Sequence, residues 1–321
     1  MLLKQPHNEV SMKKEKQAVN SLAKRKSSAP ERMAQIIFTI CASFTILAVA
    51  SITLYLVANG TPALFEVGIV DFLFGTVWKP AAAQPQFGIG YVILTSLVGT
   101  TLAVLLGVPI GVLTGIFLAE VAPKRIAAIV KPAVELLAGI PSVIYGLLGV
   151  MILNPLMYKL ELAIFKDSST HQFTGGANLL SAVLVLAIMI LPTVINMSET
   201  ALRAVDPKLK SASMALGASH METIFKVLLP AAKSGIIAGV VLGIGRALGE
   251  AMAITLVSGS SVNLPLPFNS VRFLTTAIVS EMGYASDLHR QVLFTIGLVL
   301  FIFIMVINIL LERTMKRRAV R

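Results

Sequence analysis

Six long apolar stretches limit what this sequence can fold into more than any other feature. Each is long enough to cross a bilayer as a helix, which requires about 20 residues, and each carries at most two charged side chains. Only 13% of the chain is charged, against about 25% in soluble domains. The sequence therefore predicts an all-α, polytopic membrane protein with six transmembrane helices. We place the spans at 34–58, 89–119, 133–157, 179–202, 235–257 and 291–311.

The basic residues are distributed unevenly between the two sides of these spans. Segments on the side of the N-terminus hold 21 Lys and Arg residues, and segments on the other side hold 5. Because basic loops stay in the cytoplasm, we predict that both termini are cytoplasmic. The polar, lysine-rich segment 1–33 is predicted to be a disordered cytoplasmic tail, and 312–321 a short basic cytoplasmic C-terminus. The transmembrane domain lies between them, at 34–311.

Several functional classes are disfavoured by the sequence. The net charge of +11 does not indicate nucleic-acid binding, because many of the basic residues flank apolar spans. There is no G-x-x-x-x-G-K-[ST] loop, no C-x-x-C pair and no H-E-x-x-H motif. The four histidines are scattered, and the single cysteine, Cys41, cannot form an internal disulfide. We expect no nucleic-acid partner, metal site, cofactor or enzymatic chemistry in this chain.

Glycines recur at intervals of four residues in two of the spans. Small residues at this spacing allow helix backbones to approach closely in a membrane, although glycine is also common in membrane helices generally. We interpret the two rows as helix-packing faces. Their members are Gly107, Gly111 and Gly115 in the second span, and Gly235, Gly239 and Gly243 in the fifth.

The segment 206–230, between the fourth and fifth spans, carries start and stop signals for two short helices. The signals are an Asp206-Pro207 start, a glycine stop at Gly217, an S-x-x-E capping box of Ser219 and Glu222, and a second stop before Pro230. Most loops of this kind are simply ordered connections. A loop this long in a helical bundle is more often functional.

This hairpin resembles the permease signature of ABC importers, E-A-A-x3-G-x9-I-x-L-P. The matching residues are Gly217, Leu229 and Pro230, while Val227 replaces the isoleucine and Ser211 replaces the glutamate. The resemblance implies a type I ABC importer permease fold whose hairpin docks into a cleft on a separate ATP-hydrolysing subunit. The residues expected at that interface are Ala212, Met214, Leu216, Gly217, Ser219, Glu222, Leu229 and Pro230.

Arg246 and Glu250 are the charged residues of the fifth span. A charge at the centre of a bilayer costs about 2.5–3.5 kcal/mol on insertion scales. On one continuous helix both would share a face with Gly239 and Gly243, with Arg246 at mid-span, and that face should meet protein or a water-filled path rather than lipid. A guanidinium offers a planar fork of donors that matches oxyanions. We interpret the two charges as substrate-path residues; the alternative is a structural ion pair between helices.

Three stretches closely resemble the permease subunits of phosphate-specific ABC importers. They are "LLAGIPSVIYGLLGV" (136–150), "GIGRALGEAMAITLVSGS" (243–260) and the segment 276–301. The resemblance implies ATP-driven import of inorganic phosphate across a bacterial or archaeal cell membrane. It also implies a PstA-like second permease in a heterodimer, a PstB-like ATPase dimer and a PstS-like phosphate-binding protein. Arg246 and Glu250 match the family's transport-linked charged positions.

Three alternatives remain open at this point. The chain could be a permease for another oxyanion, such as sulfate or molybdate. It could instead be a phosphate-sensing membrane scaffold that transports little. A channel or secondary transporter is disfavoured by the hairpin, and no inverted repeat is visible in the sequence.

The basic tail could also bind anionic membrane lipid through its charge.

Overall fold

The computed structural model describes residues 29–319. In chain order its elements are α1 (Ala29–Val67), α2 (Ile69–Phe74), β1 (Trp78–Lys79), β2 (Gln86–Phe87), α3 (Gly90–Ile116), α4 (Lys124–Gly139), α5 (Ser142–Leu148), α6 (Asn154–Ile164), α7 (Leu179–Arg203), α8 (Pro207–Ala215), α9 (His220–Thr223), α10 (Leu229–Gly249), α11 (Met252–Val257), α12 (Leu274–Glu281) and α13 (Asp287–Ala319). Three π-helical turns continue α3, α5 and α9, at Phe117–Val121, Gly149–Leu153 and Ile224–Leu228. The predicted all-α class is confirmed, and the antiparallel pair β1–β2 is only two residues long on each strand.

Six helices are long and apolar enough to span a membrane, as the sequence predicts. They cover Pro30–Val67, Gly90–Val121, Ser142–Ile164, Leu179–Arg203, His220–Gly249 and Asp287–Leu310. Contacts divide the chain into two units, Met1–Tyr55 and Leu56–Arg321. In the described part of the first unit, residues 29–55, the threonine hydroxyls of the helix donate to carbonyl oxygens one turn earlier, for example Thr39 to Gln35 at 2.8 Å. Such bonds satisfy a hydroxyl without water, as a membrane interior requires.

In the second unit, α7 contacts both α3 and α10, and the two predicted glycine rows lie at these contacts. A Cβ added at Gly107 would lie 2.7 Å from Ile190, and one at Gly111 would lie 2.8 Å from Val194. A Cβ added at Gly239 on α10 would lie 2.5 Å from Met197 on α7. These distances leave no room for a side chain. A Cβ added at Gly115 would lie 2.7 Å from Ser198, and one at Gly235 would lie 2.6 Å from Ala201. The contact at Gly243 is less tight, at 3.2 Å from Val194.

The β1–β2 pair lies at one end of this unit, and two buried glutamates form hydrogen bonds and ion pairs with the loops at that end. Glu161 is fully buried and accepts hydrogen bonds from the backbone N–H and the hydroxyl of Thr174, and it also contacts His171 at 2.8 Å. Glu281 is paired with Arg272 and accepts a hydrogen bond from the indole N–H of Trp78 at 3.1 Å. The hairpin end, defined by segment 204–219, lies at the opposite end of α7.

The predicted third span, 133–157, has the wrong bounds. Helix α4 ends at Gly139, Ile140 and Pro141 are extended, and the spanning helix begins at Ser142 and reaches Ile164. Proline restricts the residue before it to extended conformations, which separates the two helices. The apolar pattern continues without a change across this break, so hydropathy alone did not reveal it.

The ends of the first and last spans also differ from the prediction. Helix α1 begins at Ala29, so residues 29–33 of the predicted disordered tail are helical, and it continues past residue 58 to Val67. The rest of that predicted tail, 1–28, lies outside the described residues. Helix α13 continues to Ala319, through most of the predicted C-terminal segment 312–321.

The expected helix stop before Pro230 is wrong. Residues His220–Gly249 form one continuous helical span in which the π-turn Ile224–Leu228 precedes the proline. In this turn the N–H of Leu229 donates to the carbonyl of Ile224, five residues back. The wider turn makes room for the proline ring, and Leu229 is helical although it precedes a proline. The second arm of the hairpin is therefore continuous with the helix that carries Arg246.

Candidate transport site and hairpin

The fifth span is interrupted at the residues where the charges lie. Helix α10 ends at Gly249, Glu250 is extended with φ −73° and ψ 132°, and a new helix, α11, begins at Met252. Arg246 therefore lies in the last turn of α10, not at the middle of a continuous helix. The predicted shared helical face of Arg246 and Glu250 is wrong, because Glu250 is not helical.

The side chain of Glu250 is used by the helix that follows it. One carboxylate oxygen accepts a hydrogen bond from the backbone N–H of Ala253 at 3.0 Å, which satisfies a donor in the first turn of α11. The backbone carbonyl of Glu250 accepts a hydrogen bond from the Thr275 hydroxyl at 2.6 Å. Both bonds stabilise the break. Among the ion pairs of residues 29–319, none joins Glu250 to Arg246.

The break in the third span is connected to the same region. The buried Tyr145 hydroxyl donates across that break to the carbonyl of Leu137 at 2.7 Å, and Tyr145 lies in the same buried cluster as Ala247, the residue after Arg246. The helices that follow the two breaks, α5 and α11, pack together: a Cβ at Gly146 would lie 2.8 Å from the Cα of Ala253. The breaks in the third and fifth spans therefore lie close to each other and to Arg246.

Arg246 lies at the border between a packed face and an open face of α10. Gly243 packs against α7, whereas a Cβ at Gly245 or Gly249 would meet no atom within 4 Å. Leu242, one turn before Arg246, is 55% exposed. A half-buried guanidinium would be costly against lipid, so this open face fits a water-filled path or another subunit. The arginine has donors that could bind an oxyanion there.

The two helix starts and the glycine bend of the hairpin have the local structure that the sequence predicts. Asp206 caps α8 by accepting from the N–H of Lys208, and Ser219 and Glu222 form the complete capping box at the start of α9. Gly217 has φ +90°, and the N–H groups of Gly217 and Ala218 donate to the carbonyls of Met214 and Ser213. This is a Schellman motif, in which glycine supplies the left-handed residue.

The predicted docking residues lie in two different environments. Ala212, Met214, Gly217, Ser219 and Glu222 are exposed, and Leu216 at the bend is 90% exposed. In contrast, Leu229 packs against the buried cluster that contains Ile116 and Leu202, and Pro230 is exposed in the first turn of α10. The exposed set forms the tip of the hairpin, while Leu229 connects the hairpin to the core.

Sequence reasoning missed several residues of these sites. Tyr145 lies in an apolar run and has no polar neighbour in sequence, and Thr275 lies 25 residues after Glu250, so only the fold brings them to the charged break. Glu120, which contacts the hairpin, was also missed, although it is an isolated acid at the end of an apolar span. Within the described part of the chain, no three His, Cys, Asp or Glu side chains gather as a metal site requires.

Interrupted membrane helices, close packing at small residues and an arginine beside an open helix face are features of a multi-pass membrane permease subunit. The sequence family of binding-protein-dependent transport system inner membrane components matches residues 111–319. This chain belongs to that family. A protein of this family is a membrane component of a transporter in the cell membrane, and it is not itself the catalytic subunit.

Relatives with curated names cover most of the chain. It is 37% identical to the probable ABC transporter permease protein YqgH of Bacillus subtilis strain 168, over 87% of this chain and 90% of that protein. It is 34% identical to the phosphate transport system permease protein PstC of Xylella fastidiosa strain Temecula1, over 84% of this chain and 85% of that protein.

Solved structures share the fold. A bacterial alginate ABC transporter, solved in complex with an alginate pentasaccharide-bound periplasmic protein, superposes with a TM-score of 0.58. The match covers 88% of this chain and 93% of that one at 15% sequence identity. At this identity the likeness concerns the fold alone, and it agrees with the predicted ABC importer permease fold.

Proposed function

We propose that this chain is the permease subunit of an ATP-driven importer of inorganic phosphate and forms half of its translocation path. The observation that carries the proposal is the guanidinium of Arg246, which lies beside an open face of a membrane helix and is not paired with Glu250. A fixed positive charge with a planar fork of donors suits a tetrahedral oxyanion. The choice of phosphate is supported by relatives named as phosphate transport permeases, with 34% and 35% identity.

In this proposal the open face of α10 meets a PstA-like second permease, and the path lies between the two subunits. A PstS-like binding protein delivers phosphate at the end that holds the β1–β2 pair. A PstB-like ATPase dimer docks at the hairpin end, which is cytoplasmic together with both termini. The 21-to-5 distribution of basic residues supports this orientation.

The hairpin provides the mechanical connection in this mechanism. Its exposed tip, with Met214, Leu216 and Glu222, docks to the ATPase. Its second arm is continuous with α10, so a movement of the tip when ATP binds shifts Arg246 as part of the same helix. The break at Glu250 then allows α10 to move without carrying α11 with it. Alternating access would follow from this motion.

The direct test is uptake by the complex reconstituted into vesicles with its partner permease, ATPase and binding protein. Labelled phosphate, sulfate and molybdate are supplied on the binding-protein side, with ATP on the other side. We expect ATP-dependent accumulation of phosphate alone. Accumulation of sulfate or molybdate instead would assign a different oxyanion, because the guanidinium by itself binds each of them. Stimulated ATP hydrolysis without accumulation of any of the three would favour the sensing scaffold.

A further inference from the structure

We propose that Glu120 is a positioning residue that makes α3 follow the hairpin when the ATPase moves it; the inference rests on the proposed function. Glu120 lies in the π-turn Phe117–Val121 at the hairpin end of α3, and its side chain is only 11% exposed. Its carboxylate faces both arms of the hairpin. It accepts from the Lys210 ammonium on α8 at 2.5 Å and lies 4.0 Å from His220 at the start of α9.

This contact matters because, beyond its chain link to α7 at 204–206, the first arm of the hairpin has few side-chain contacts with the membrane domain. Helix α8 buries none of its residues, so apolar packing does not fix it to the membrane domain. Its polar attachments within the described chain include the Lys210–Glu120 pair and a hydrogen bond between the Ser213 and Thr223 hydroxyls at 2.9 Å. The second of these joins the two arms to each other. The pair with Glu120 is the one that reaches α3.

The π-turn that carries Glu120 is itself firmly attached. The guanidinium of Arg203, at the end of α7, donates to the carbonyl of Leu118 at 3.0 Å and to the carboxylate of Glu199 at 2.8 Å. Just before the turn, α3 packs closely on α7, since a Cβ added at Gly115 would lie 2.7 Å from Ser198. A force applied to α8 therefore reaches α7 through the chain link 204–206 and reaches α3 through Glu120.

Besides the chain link to α7 at 204–206, the hairpin thus has two connections to the membrane domain. The second arm continues into α10 and reaches Arg246, and the first arm reaches α3 through Glu120. Both α3 and α10 pack against α7 along their glycine rows. With both connections intact, the three helices respond to ATP as one body. Without Glu120, α3 would still pack on α7 and on the second arm, in the buried cluster of Ile116 and Ile224, but it would lose its link to the first arm and follow α8 less completely.

The test compares Glu120→Gln and Lys210→Met with the swapped pair Glu120→Lys/Lys210→Glu in the reconstituted complex. The matched control is Lys124→Met, which removes an exposed lysine at the start of α4 that takes part in none of the ion pairs of residues 29–319. Phosphate accumulated per ATP hydrolysed should fall at least about fivefold in the two single variants, the lower end of typical coupling between sites. The control should keep the wild-type ratio, and the swap should restore most of it.

A second readout does not depend on the cargo. A cysteine at Leu113, which is 58% exposed on α3, is introduced in a Cys41→Ser background, and its rate of thiol labelling is measured with and without ATP. ATP should change this rate in the otherwise wild-type complex and change it less in Glu120→Gln. Absence of phosphate uptake in the wild type would refute the proposed function, while the labelling comparison would still decide the role of Glu120. The inference would be overturned if Glu120→Gln kept the wild-type ratio of phosphate accumulated to ATP hydrolysed and the wild-type change in labelling rate with ATP. It would also be overturned if the variant lowered abundance and left that ratio at the wild-type value.

Discussion

The carboxylate of Glu250 accepts a hydrogen bond from the backbone N–H of Ala253 at 3.0 Å, in the first turn of the helix that follows the break. The acid thus stabilises a helix start, which is a structural role. Glu250→Gln keeps an acceptor oxygen and should retain most of the stability and membrane abundance. Glu250→Ala removes the acceptor and should lower the free energy of unfolding by about 0.5–2 kcal/mol, the usual range for a lost cap.

Thermal unfolding of the purified complex in nanodiscs, with abundance measured by immunoblot, checks this expectation. Thr275→Val serves as a second variant, because it removes the donor to the Glu250 carbonyl and leaves the side chain in place. It should also lower the unfolding temperature. Equal stability of Glu250→Ala and Glu250→Gln would show that the cap does not hold the break.

The local signals of the sequence predicted the two helix starts and the bend of the hairpin, but they wrongly predicted a stop before Pro230, and the breaks in the spans were not predicted. Asp206, Gly217 and the Ser219–Glu222 box each act within a few residues, so their effect can be predicted from composition and spacing. The break at Glu250 has no proline. It depends on Thr275, 25 residues later, and the sequence pattern there is equally compatible with a continuous helix. The open face beside Arg246 depends on which helices pack on α10, and hydropathy does not specify that.

Gly217 adopts φ +90°, a conformation that β-branched residues strongly resist. A Cβ there would meet no atom within 4 Å, so the effect of a substitution is conformational and not steric. We expect Gly217→Val to lower ATPase stimulation and uptake while membrane abundance is preserved, and Gly217→Asn to be milder because asparagine tolerates this region.

Gly283→Val is the matched control for this prediction. Gly283 also has open space around its Cα, but its φ is not positive and it lies away from the hairpin. The measurements are ATP hydrolysis stimulated by the loaded binding protein and the amount of ATPase that copurifies with the membrane subunits. Wild-type values of both in Gly217→Val would contradict a docking role for the bend.

A Cβ added at Gly115, in the α3 glycine row, would meet backbone atoms as well as a side chain. The Ile195 carbonyl would lie at 3.1 Å and the Glu199 nitrogen at 3.2 Å. Gly115→Ala should therefore destabilise the membrane domain by about 1–3 kcal/mol through overpacking. Gly139→Ala, where nothing lies within 4 Å, should change stability little. Unfolding temperatures in nanodiscs compare the two, and equal values would refute close packing of α3 on α7.

The predicted orientation can be tested with two exposed serines. In a Cys41→Ser background, Ser261→Cys lies at the end that holds the β1–β2 pair and Ser211→Cys lies on the hairpin. A membrane-impermeant thiol reagent applied to intact cells should label Ser261→Cys and should label Ser211→Cys only after the membrane is opened. The reverse pattern would place the hairpin on the side without ATP.

The central claim is that the guanidinium of Arg246 serves the transported anion. Phosphate uptake and membrane abundance should be measured together for Arg246→Lys, Arg246→Gln and the double variant Arg246→Gln/Glu250→Gln. We predict normal abundance in all three, poor uptake in Arg246→Lys because the planar fork is lost, and no uptake in Arg246→Gln or the double variant. Recovery of uptake in the double variant would instead show that Arg246 and Glu250 form a structural ion pair, and would contradict the account.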